Sequence, residues 1–182
     1  MNQKEPSHHS KTLLEPSKDT KKPIRYKKSG AVKYLESLAL DSKRAKYPSI
    51  PEAYLTVYPY KDNTANGLTK CVISFIQLKG GQAERISTTG RAIDRTQTFT
   101  DVTGRARSIG RIEWIPGTST KGSADISATI AGRSVKIEVK IGRDVQSKAQ
   151  KDYQQAIETA GGVYYIAQTF EAFLGWYNQN FK

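Results

Sequence analysis

The stretch that decides the fold is Gly122-Ser-Ala-Asp-Ile-Ser-Ala-Thr-Ile-Ala-Gly-Arg-Ser-Val-Lys-Ile-Glu-Val-Lys-Ile141. Apolar residues take every second position on both sides of Gly132, which is typical of two half-buried strands. A two-residue turn at 131–132 joins them as a hairpin, so that Asp125 lies directly opposite Glu138. A shift of the turn by one residue sets Asp125 against Lys140 instead. In either register the three charged side chains share one face, and the apolar side chains share the other.

The group of Asp125, Glu138 and Lys140 has the composition of a hydrolytic site. Side chains opposed across a hairpin have Cβ atoms only ~5 Å apart, so two carboxylates there repel each other unless a cation lies between them. Oxygen ligands of this kind suit Mg²⁺ or Mn²⁺. A nearby ammonium can orient or help to deprotonate a water, or offset the charge that builds on a phosphate. The group therefore predicts metal-assisted phosphodiester hydrolysis, and the alternative is a solvated strand face on which Glu and Lys alternate.

The rest of the chain predicts a mixed α/β (α+β) architecture around this hairpin. Helical spacing predicts a short helix over 31–40 and a second over 66–79, with a strand as the alternative for 71–76. Strands are expected over 83–88, 110–115 and 163–167. Ser147 and Gln150 have the spacing of a capping box that opens a third helix, and Thr169 is a suitable cap for a fourth. Several aromatic residues are assigned to the core by their positions, with base stacking as the alternative for all but Tyr153: Trp114, Tyr153, Tyr164, Tyr165 and Trp176.

The chain is strongly basic, with 29 Lys and Arg against 17 Asp and Glu in 182 residues. Residues 1–46 alone hold 12 basic and five acidic residues. Residues 1–30 have little to bury and are predicted to be a disordered basic tail. Residues 31–65 are expected to form a helix and a wrapping segment, and residues 66–182 a single domain. Because excess positive charge attracts polyanions, DNA is the leading partner.

Several function classes are excluded by composition. No apolar run approaches the ~18 residues of a membrane helix, so no membrane association is expected. The N-terminus lacks the apolar stretch of a secretory signal, so a cytoplasmic location is expected. A single cysteine, Cys71, cannot form an internal disulfide, and the only histidines, His8 and His9, are adjacent, so a Cys/His zinc site is not expected.

The motifs resemble a known family. Gly122-Ser-Ala-Asp125, Ile137-Glu-Val-Lys140, Ser147–Tyr153 and Ala160–Ile166 together look like the PD-(D/E)XK nuclease superfamily. Within it, the chain most resembles the virus-type replication and repair nuclease domain (VRR-NUC) of phages, bacteria and a eukaryotic repair nuclease. The similarity spans about residues 66–168 and is specific from residue 122 onward. It implies a restriction-endonuclease-like core, made of a helix, a three-strand meander, a helix and a strand.

The resemblance also implies roles for individual residues. Asp125 and Glu138 would bind Mg²⁺ or Mn²⁺ together with the carbonyl of Val139, and Lys140 would lie near the attacking water. Gln150 would face the site from the third helix, unless its side chain serves the capping box instead. The family usually places a glutamate on the first helix beside the metal, whereas residues 64–69 contain no acid. Asn66 is the residue that would stand in for it.

Basic residues near the motif are candidates for contacts with nucleic acid. Lys121 precedes the motif and Arg143 follows it, and both are predicted to bind phosphates. Arg143 has an alternative partner in the neighbouring Asp144. The claims of Arg91, Arg105 and Arg107 are weaker, because each alone is typical of a solvated surface charge.

The sequence therefore predicts a metal-dependent nuclease that acts on DNA, with structure-specific cleavage in phage or bacterial replication and repair. A catalytically degenerate module that only binds nucleic acid on the same fold is the alternative, motivated by the missing helix acid. A sequence-specific restriction endonuclease is a third reading, disfavoured by the short chain. A homodimer is left open, because cutting both strands of a junction would favour one.

Overall fold

The computed structural model describes residues 26–87, 90–117 and 120–181, which form a mixed α/β fold with four α-helices. The predicted fold class is confirmed at this level. The helices are α1 (Gly30–Lys46), α2 (Ala65–Leu78), α3 (Lys148–Thr159) and α4 (Phe170–Asn180), with a single 3-10 turn at Glu52–Tyr54. The strands are β1 (Gln82–Arg85), β2 (Arg91–Asp94), β3 (Gln97–Thr100), β4 (Ala106–Ile109), β5 (Ile112–Ile115), β6 (Ile126–Ile130), β7 (Arg133–Val139) and β8 (Val163–Ala167). Residues 1–25, which include most of the predicted tail, lie outside the described residues.

A four-stranded mixed sheet in the order β1-β6-β7-β8 forms the centre of the fold. The first three strands are antiparallel, and β8 pairs with β7 in parallel after the crossover through α3. Ile130 pairs with Arg133 across the turn, so the hairpin takes the first of the two predicted registers. Both turn residues, Ala131 and Gly132, have positive φ, which is the geometry that matches the twist of a two-residue hairpin.

One face of this sheet carries the core. Its inward residues come from all four strands, and α1, α2 and α4 supply the other side of the core: Ala83, Ile126, Ala128, Ile130, Val135, Ile137, Val139 and Ala167 from the sheet, and Val32, Leu35, Leu68, Val72, Phe75, Ile76, Phe170 and Phe173 from the helices. Phe75 is fully buried and meets Phe170, Phe173 and Tyr177 edge-on at 4.9–6.0 Å between ring centres. The opposite face of the sheet is covered in part by α3, in which no side chain is fully buried.

The helix boundaries follow from local chemistry. The side chains of Thr64, Ser147 and Thr169 accept hydrogen bonds from backbone N–H groups in the first turns of α2, α3 and α4. The helix predicted over 66–79 is confirmed, and the alternative strand over 71–76 is wrong. Helix α1 runs six residues past the predicted end. The prediction stopped at residue 40 because residues 41–46 are mostly polar and show no apolar period, although most of them favour helix.

The segment before α1 and the wrapping segment are tied together by polar contacts. The Tyr26 hydroxyl donates to Asp62 Oδ1 at 2.6 Å, and the other oxygen of Asp62 accepts from the Phe170 N–H at 3.3 Å. Burial and the hydrogen bond to Asp62 raise the pKa of Tyr26 to about 12. One carboxylate, Glu36, accepts from both the Lys28 ammonium (2.5 Å) and the Tyr60 N–H (3.1 Å). These contacts connect the start of the described chain to the first turn of α4.

Residues 90–117 form a long antiparallel ribbon, called the arm below, inserted between β1 and β6. Strand β2 pairs with β5, and β3 pairs with β4. Trp114 lies in the arm and is 62% exposed, so its assignment to the core is wrong. The alternating pattern of 110–115 resembles that of a half-buried strand, but within the described residues no layer covers it. Trp176, by contrast, stacks on Tyr165 at 4.2 Å beside the core, as predicted.

Within the described ranges, no helix is both long enough and apolar enough to span a membrane.

Candidate active site

Asp125 and Glu138 meet at the open end of the β6–β7 hairpin. Asp125 directly precedes β6, and the pairing of Ile126 with Ile137 places it across from Glu138. Its Oδ2 accepts a hydrogen bond from the Val139 N–H at 2.9 Å, so the partner strand fixes the carboxylate. The side chain of Val139 packs in the core. The predicted role of its carbonyl as a ligand stays a prediction.

Glu138 is a buried carboxylate with three side-chain partners. The residue is 2% exposed. Its Oε1 accepts from the Gln150 amide and lies 3.1 Å from the Lys140 ammonium, while Oε2 accepts from the Tyr164 hydroxyl at 3.5 Å. Burial raises the pKa of Glu138, and the charge of Asp125 raises it further against the opposing effect of Lys140. A negative charge on Glu138 is therefore costly unless a cation stays beside it.

Lys140 supplies that cation. Its side chain is 8% exposed, and the ammonium contacts Glu138, Asp144 (3.4 Å) and the Gln150 Oε1 atom (3.2 Å). Burial acts to lower the pKa of Lys140, but the hydrogen bonds and charges of Glu138 and Asp144 outweigh it, so that the pKa is raised. The contacts with Glu138 and Asp144 therefore favour the charged form of the side chain. It can orient a water or offset charge on a phosphate, but it is poorly suited to accept a proton.

Gln150 fills both of the roles between which the sequence did not decide. Its Oε1 accepts from the Ser147 N–H at 2.8 Å, and the Ser147 hydroxyl accepts from the Gln150 N–H at 3.3 Å, which completes the capping box. The same side chain reaches Glu138 with its amide nitrogen and Lys140 with its oxygen. One residue therefore joins the start of α3 to the charged cluster.

Gly122 sets the distance between the loop before β6 and the start of α3. Its φ is +81°, and a Cβ added there would lie 2.3 Å from the Ala149 carbonyl oxygen and 2.9 Å from the Gln150 nitrogen. Any side chain would push the first turn of α3 away from the loop. The small residue that the motif places here is thus needed for the close approach of backbone to backbone.

Two members of the cluster were missed or misassigned by the sequence. Tyr164 was assigned to the core, but it lies on the site face, where burial and the nearby Glu138 charge raise the pKa of its hydroxyl. Alternation along β8 could have indicated this, since Tyr165 points into the core and its neighbour must point away. Asp144 pairs with Lys140 and not with Arg143, so the proposed Arg143–Asp144 pair is wrong. Tyr153 is half-buried and meets the edge of Tyr164.

The remaining candidates lie around the cluster or away from it. Lys121 and Arg143 are both exposed, four residues before Asp125 and three after Lys140. Asn66 forms no hydrogen bond to either carboxylate in the described part of the chain. It lines a separate cleft of about 940 Å³, between the start of α2 and the segment 58–64. Asn66 therefore does not take the place of the absent helix acid beside the cluster.

Asp125 and Glu138 are the two carboxylates on which the predicted metal site depends. Among residues 26–87, 90–117 and 120–181, no group of three or more His, Cys, Asp or Glu side chains is arranged to hold a metal. Asp125 and Glu138 are two carboxylates close enough for the charge of one to raise the pKa of the other, and such oxygen pairs suit Mg²⁺ or Mn²⁺ completed by water. The Ser123 hydroxyl, buried two residues before Asp125, has no hydrogen-bond partner among the described residues. Asp125 and Glu138 could supply oxygen ligands to a single cation, and the third acid of the described cluster, Asp144, pairs with Lys140.

In comparisons with known proteins, no family model matches this chain and no curated protein matches it significantly in sequence.

Proposed function

We propose that this protein is a metal-dependent nuclease that hydrolyses phosphodiester bonds in DNA. The observation that carries the proposal is the cluster itself: Asp125, Glu138 and Lys140 share one face of the sheet, and Gln150 contacts two of them from α3. A buried acid beside a fixed cation is expensive to maintain, which is typical of functional sites more than of solvated strand faces.

The arrangement of the elements supports the same proposal. A helix, three antiparallel strands, a second helix and a parallel fourth strand follow one another as α2, β1, β6, β7, α3 and β8. This is the order expected for a restriction-endonuclease-like core, in which the acids lie at the open end of the central hairpin. The arm then counts as an insertion between the first two strands of that core.

The residues divide the chemistry in a definite way. Asp125 and Glu138 would hold Mg²⁺ or Mn²⁺, which supplies Lewis acidity and lowers the pKa of water. In hydrolysis a water oxygen attacks the phosphorus and gives up a proton to solvent, while the bond to the leaving ester oxygen breaks and that oxygen takes a proton from solvent. Lys140, held protonated, orients the water or stabilises the extra negative charge on the phosphoryl oxygens. Gln150 keeps Glu138 and Lys140 in place.

Cleavage of labelled duplex, single-stranded, flap and four-way-junction DNA with Mg²⁺, Mn²⁺ or EDTA tests the proposal. We expect cutting that requires the metal and falls at least about 100-fold in Glu138→Gln and in Asp125→Asn. Glu171→Gln, which removes one exposed acid from α4, is the matched control and should retain full activity. Circular dichroism must show each variant folded. Cleavage that persists in both site variants would refute the assignment.

A second function is favoured by one observation, the position of Asn66 away from the carboxylates. On this alternative the fold binds nucleic acid and no longer cuts it. Binding would then be insensitive to EDTA and would fall steeply with salt. Metal-dependent cleavage by the wild-type protein eliminates this alternative. If the wild type cleaves none of the substrates tested, the alternative is supported.

A further inference from the structure

The arm is one continuous hairpin, although its four strands fall into two pairs. Arg91 pairs with Ile115 in the first pair and Thr100 with Ala106 in the last, and the register does not slip between them. The Arg95 N–H donates to the Arg111 carbonyl at 3.2 Å across the gap between the two pairs. Eleven residues on each side, at ~3.3 Å a residue, give an arm ~35 Å long.

Gly110 permits this continuity. Its φ is +109°, and a Cβ there would lie 2.2 Å from the Arg95 carbonyl oxygen. The backbone can therefore bend between the two strand pairs without an inserted residue. Because no residue is inserted, side chains keep their alternation from one end of the arm to the other.

All five arginines of the arm lie on one face. Opposed residues of a ribbon share a face and successive residues alternate, so the odd-numbered positions form one surface: Arg91, Arg95, Arg105, Arg107 and Arg111 belong to it. Contacts agree with this division. Arg95 pairs with Glu113 and Arg107 with Asp101, both at 2.6 Å, whereas the hydroxyls of Thr98 and Ser108 meet at 3.3 Å on the other face.

The arginine face has a charge excess that its own acids do not neutralise. Glu113 and Asp101 are the acids on it, and in the described part of the chain Arg91, Arg105 and Arg111 form no ion pair. The apolar side chains Phe99 and Ile109 lie between the arginines and are largely exposed. The opposite face is mostly small and has Asp94 as its one charged side chain, within the described residues.

We propose that the arginine face of the arm binds duplex DNA, with the ribbon lying in the major groove. A two-stranded ribbon fits the ~12 Å width of the B-DNA major groove, and the arm is about as long as one turn of the double helix. Arginines bind phosphates at the groove edges or guanine edges within it, and exposed apolar side chains suit thymine methyl groups. The narrow, deep major groove of duplex RNA does not admit such a ribbon. The inference rests on the proposed function for the kind of nucleic acid, but not on cleavage.

The test measures binding in EDTA, so that cleavage plays no part. Fluorescence anisotropy with a labelled 25-base-pair DNA duplex compares the wild type with the triple variant Arg91→Gln, Arg105→Gln, Arg111→Gln. The matched control is Lys33→Gln, Lys46→Gln, Arg133→Gln, which removes the same charge from exposed positions outside the arm. We expect the arm variant to bind 10- to 100-fold more weakly at about 100 mM salt, with a salt-dependence slope reduced by ~2 to 3. The control should stay within about threefold of wild type.

Specific outcomes would overturn the inference. They are equal losses in the two triple variants, no loss in the arm variant, or equally tight binding of single-stranded DNA or duplex RNA through the same arginines. A change of oligomeric state in Ile112→Ser, Trp114→Ser by sedimentation, with duplex binding unaffected by the arginine substitutions, would make the arm an interface between copies instead. Duplex binding through the arm without metal-dependent cleavage leaves the inference standing and refutes the proposed function. Metal-dependent cleavage by the wild type, together with unchanged duplex binding by the arm variant, supports the proposed function and refutes the inference about the arm.

Discussion

The β6–β7 hairpin and the arm differ in how their charged side chains are surrounded. In the β6–β7 hairpin one face is buried in the core, and the charged residues on the other face are locked by Gln150, Tyr164 and the backbone of Val139. In the arm both faces are exposed, and three of the five arginines are unpaired among the described residues. Fixed charges suit chemistry on a bond, whereas free charges suit contact with a long anion. The difference arises from what packs on the sheet and not from the strands themselves.

The largest effect expected from this comparison concerns apolar side chains. Phe75→Ala removes a fully buried ring that touches three other rings and should lower the free energy of unfolding by about 4 kcal/mol. Phe99→Ala in the arm removes a ring that is 48% exposed and should cost less than about 0.5 kcal/mol. Urea denaturation followed by circular dichroism measures both. A loss at Phe99 as large as that at Phe75 would mean that the arm packs against a partner.

A second contrast concerns cations. Lys140→Met leaves Glu138 buried without its cation and should destabilise the protein by about 3 kcal/mol at pH 7. Arg107→Met breaks a pair whose arginine is largely exposed and should lower the midpoint of thermal unfolding by far less. Because burial raises the pKa of Glu138, this carboxyl takes up a proton more readily in the folded state, and folding gains as the pH falls through that pKa.

The deficit of Lys140→Met relative to wild type should therefore be smaller at pH 5 than at pH 7, because a larger fraction of Glu138 takes up a proton at the lower pH. Urea titrations at the two pH values check the sign. A deficit that grows toward pH 5 would contradict the pairing of Lys140 with Glu138.

A third contrast compares Gly122, which lies against the backbone of α3, with Gly132, which only provides a positive φ in a turn. Gly132→Ala forces a residue into positive φ in open space and should cost about 1 kcal/mol. Gly122→Ala has the same backbone cost and also collides with Ala149, so we expect about 2 to 3 kcal/mol in total. Cleavage assays should show reduced activity for the variant at Gly122 alone. Equal stability of the two variants would mean that α3 moves aside freely.

The smallest effect expected is on metal affinity. Since the pKa of Glu138 is raised, protons compete with the cation at a higher pH than for an ordinary glutamate. Binding of Mn²⁺, followed by calorimetry, should weaken progressively from pH 7.5 to pH 5. Tyr164→Phe removes one hydrogen bond to Glu138 and should move this dependence slightly to higher pH, because that bond favours the charged form. A pH-independent affinity would show that Glu138 is not a ligand.

The central hairpin was predicted because one of its faces is buried, and a strand with one buried face alternates apolar and polar residues. Helices α2, α3 and α4 were also predicted, because each has an apolar face, and Ser147 and Thr169 further marked the starts of α3 and α4. The common face of Asp125, Glu138 and Lys140 followed from the hairpin alone, the contact of Gln150 with them was implied by the family resemblance, and the partners Tyr164 and Asp144 were missed. Those depend on how β8 and the loop after β7 pack, which no local pattern specifies.

The arm was only partly predicted for the opposite reason. Its strands β2, β3 and β4 have no buried face, so no apolar period marks them. Trp114 was assigned to the core because an alternating run with a large aromatic residue usually has a layer above it. The common face of the five arginines depends on pairing between residues far apart in sequence, and only the structure supplies that register.

The capping box of α3 makes the order of the charged cluster depend on the first turn of a helix. The side chain of Gln150 that closes this turn is also the one that holds Glu138 and Lys140, so fraying of the turn and loosening of the cluster are a single cooperative event. Since α3 has no fully buried side chain, its end belongs to the part of the fold that opens at low free energy. The backbone N–H of Gln150 donates to the Ser147 hydroxyl. Hydrogen exchange at this N–H would therefore measure the fraction of time for which the cluster is assembled.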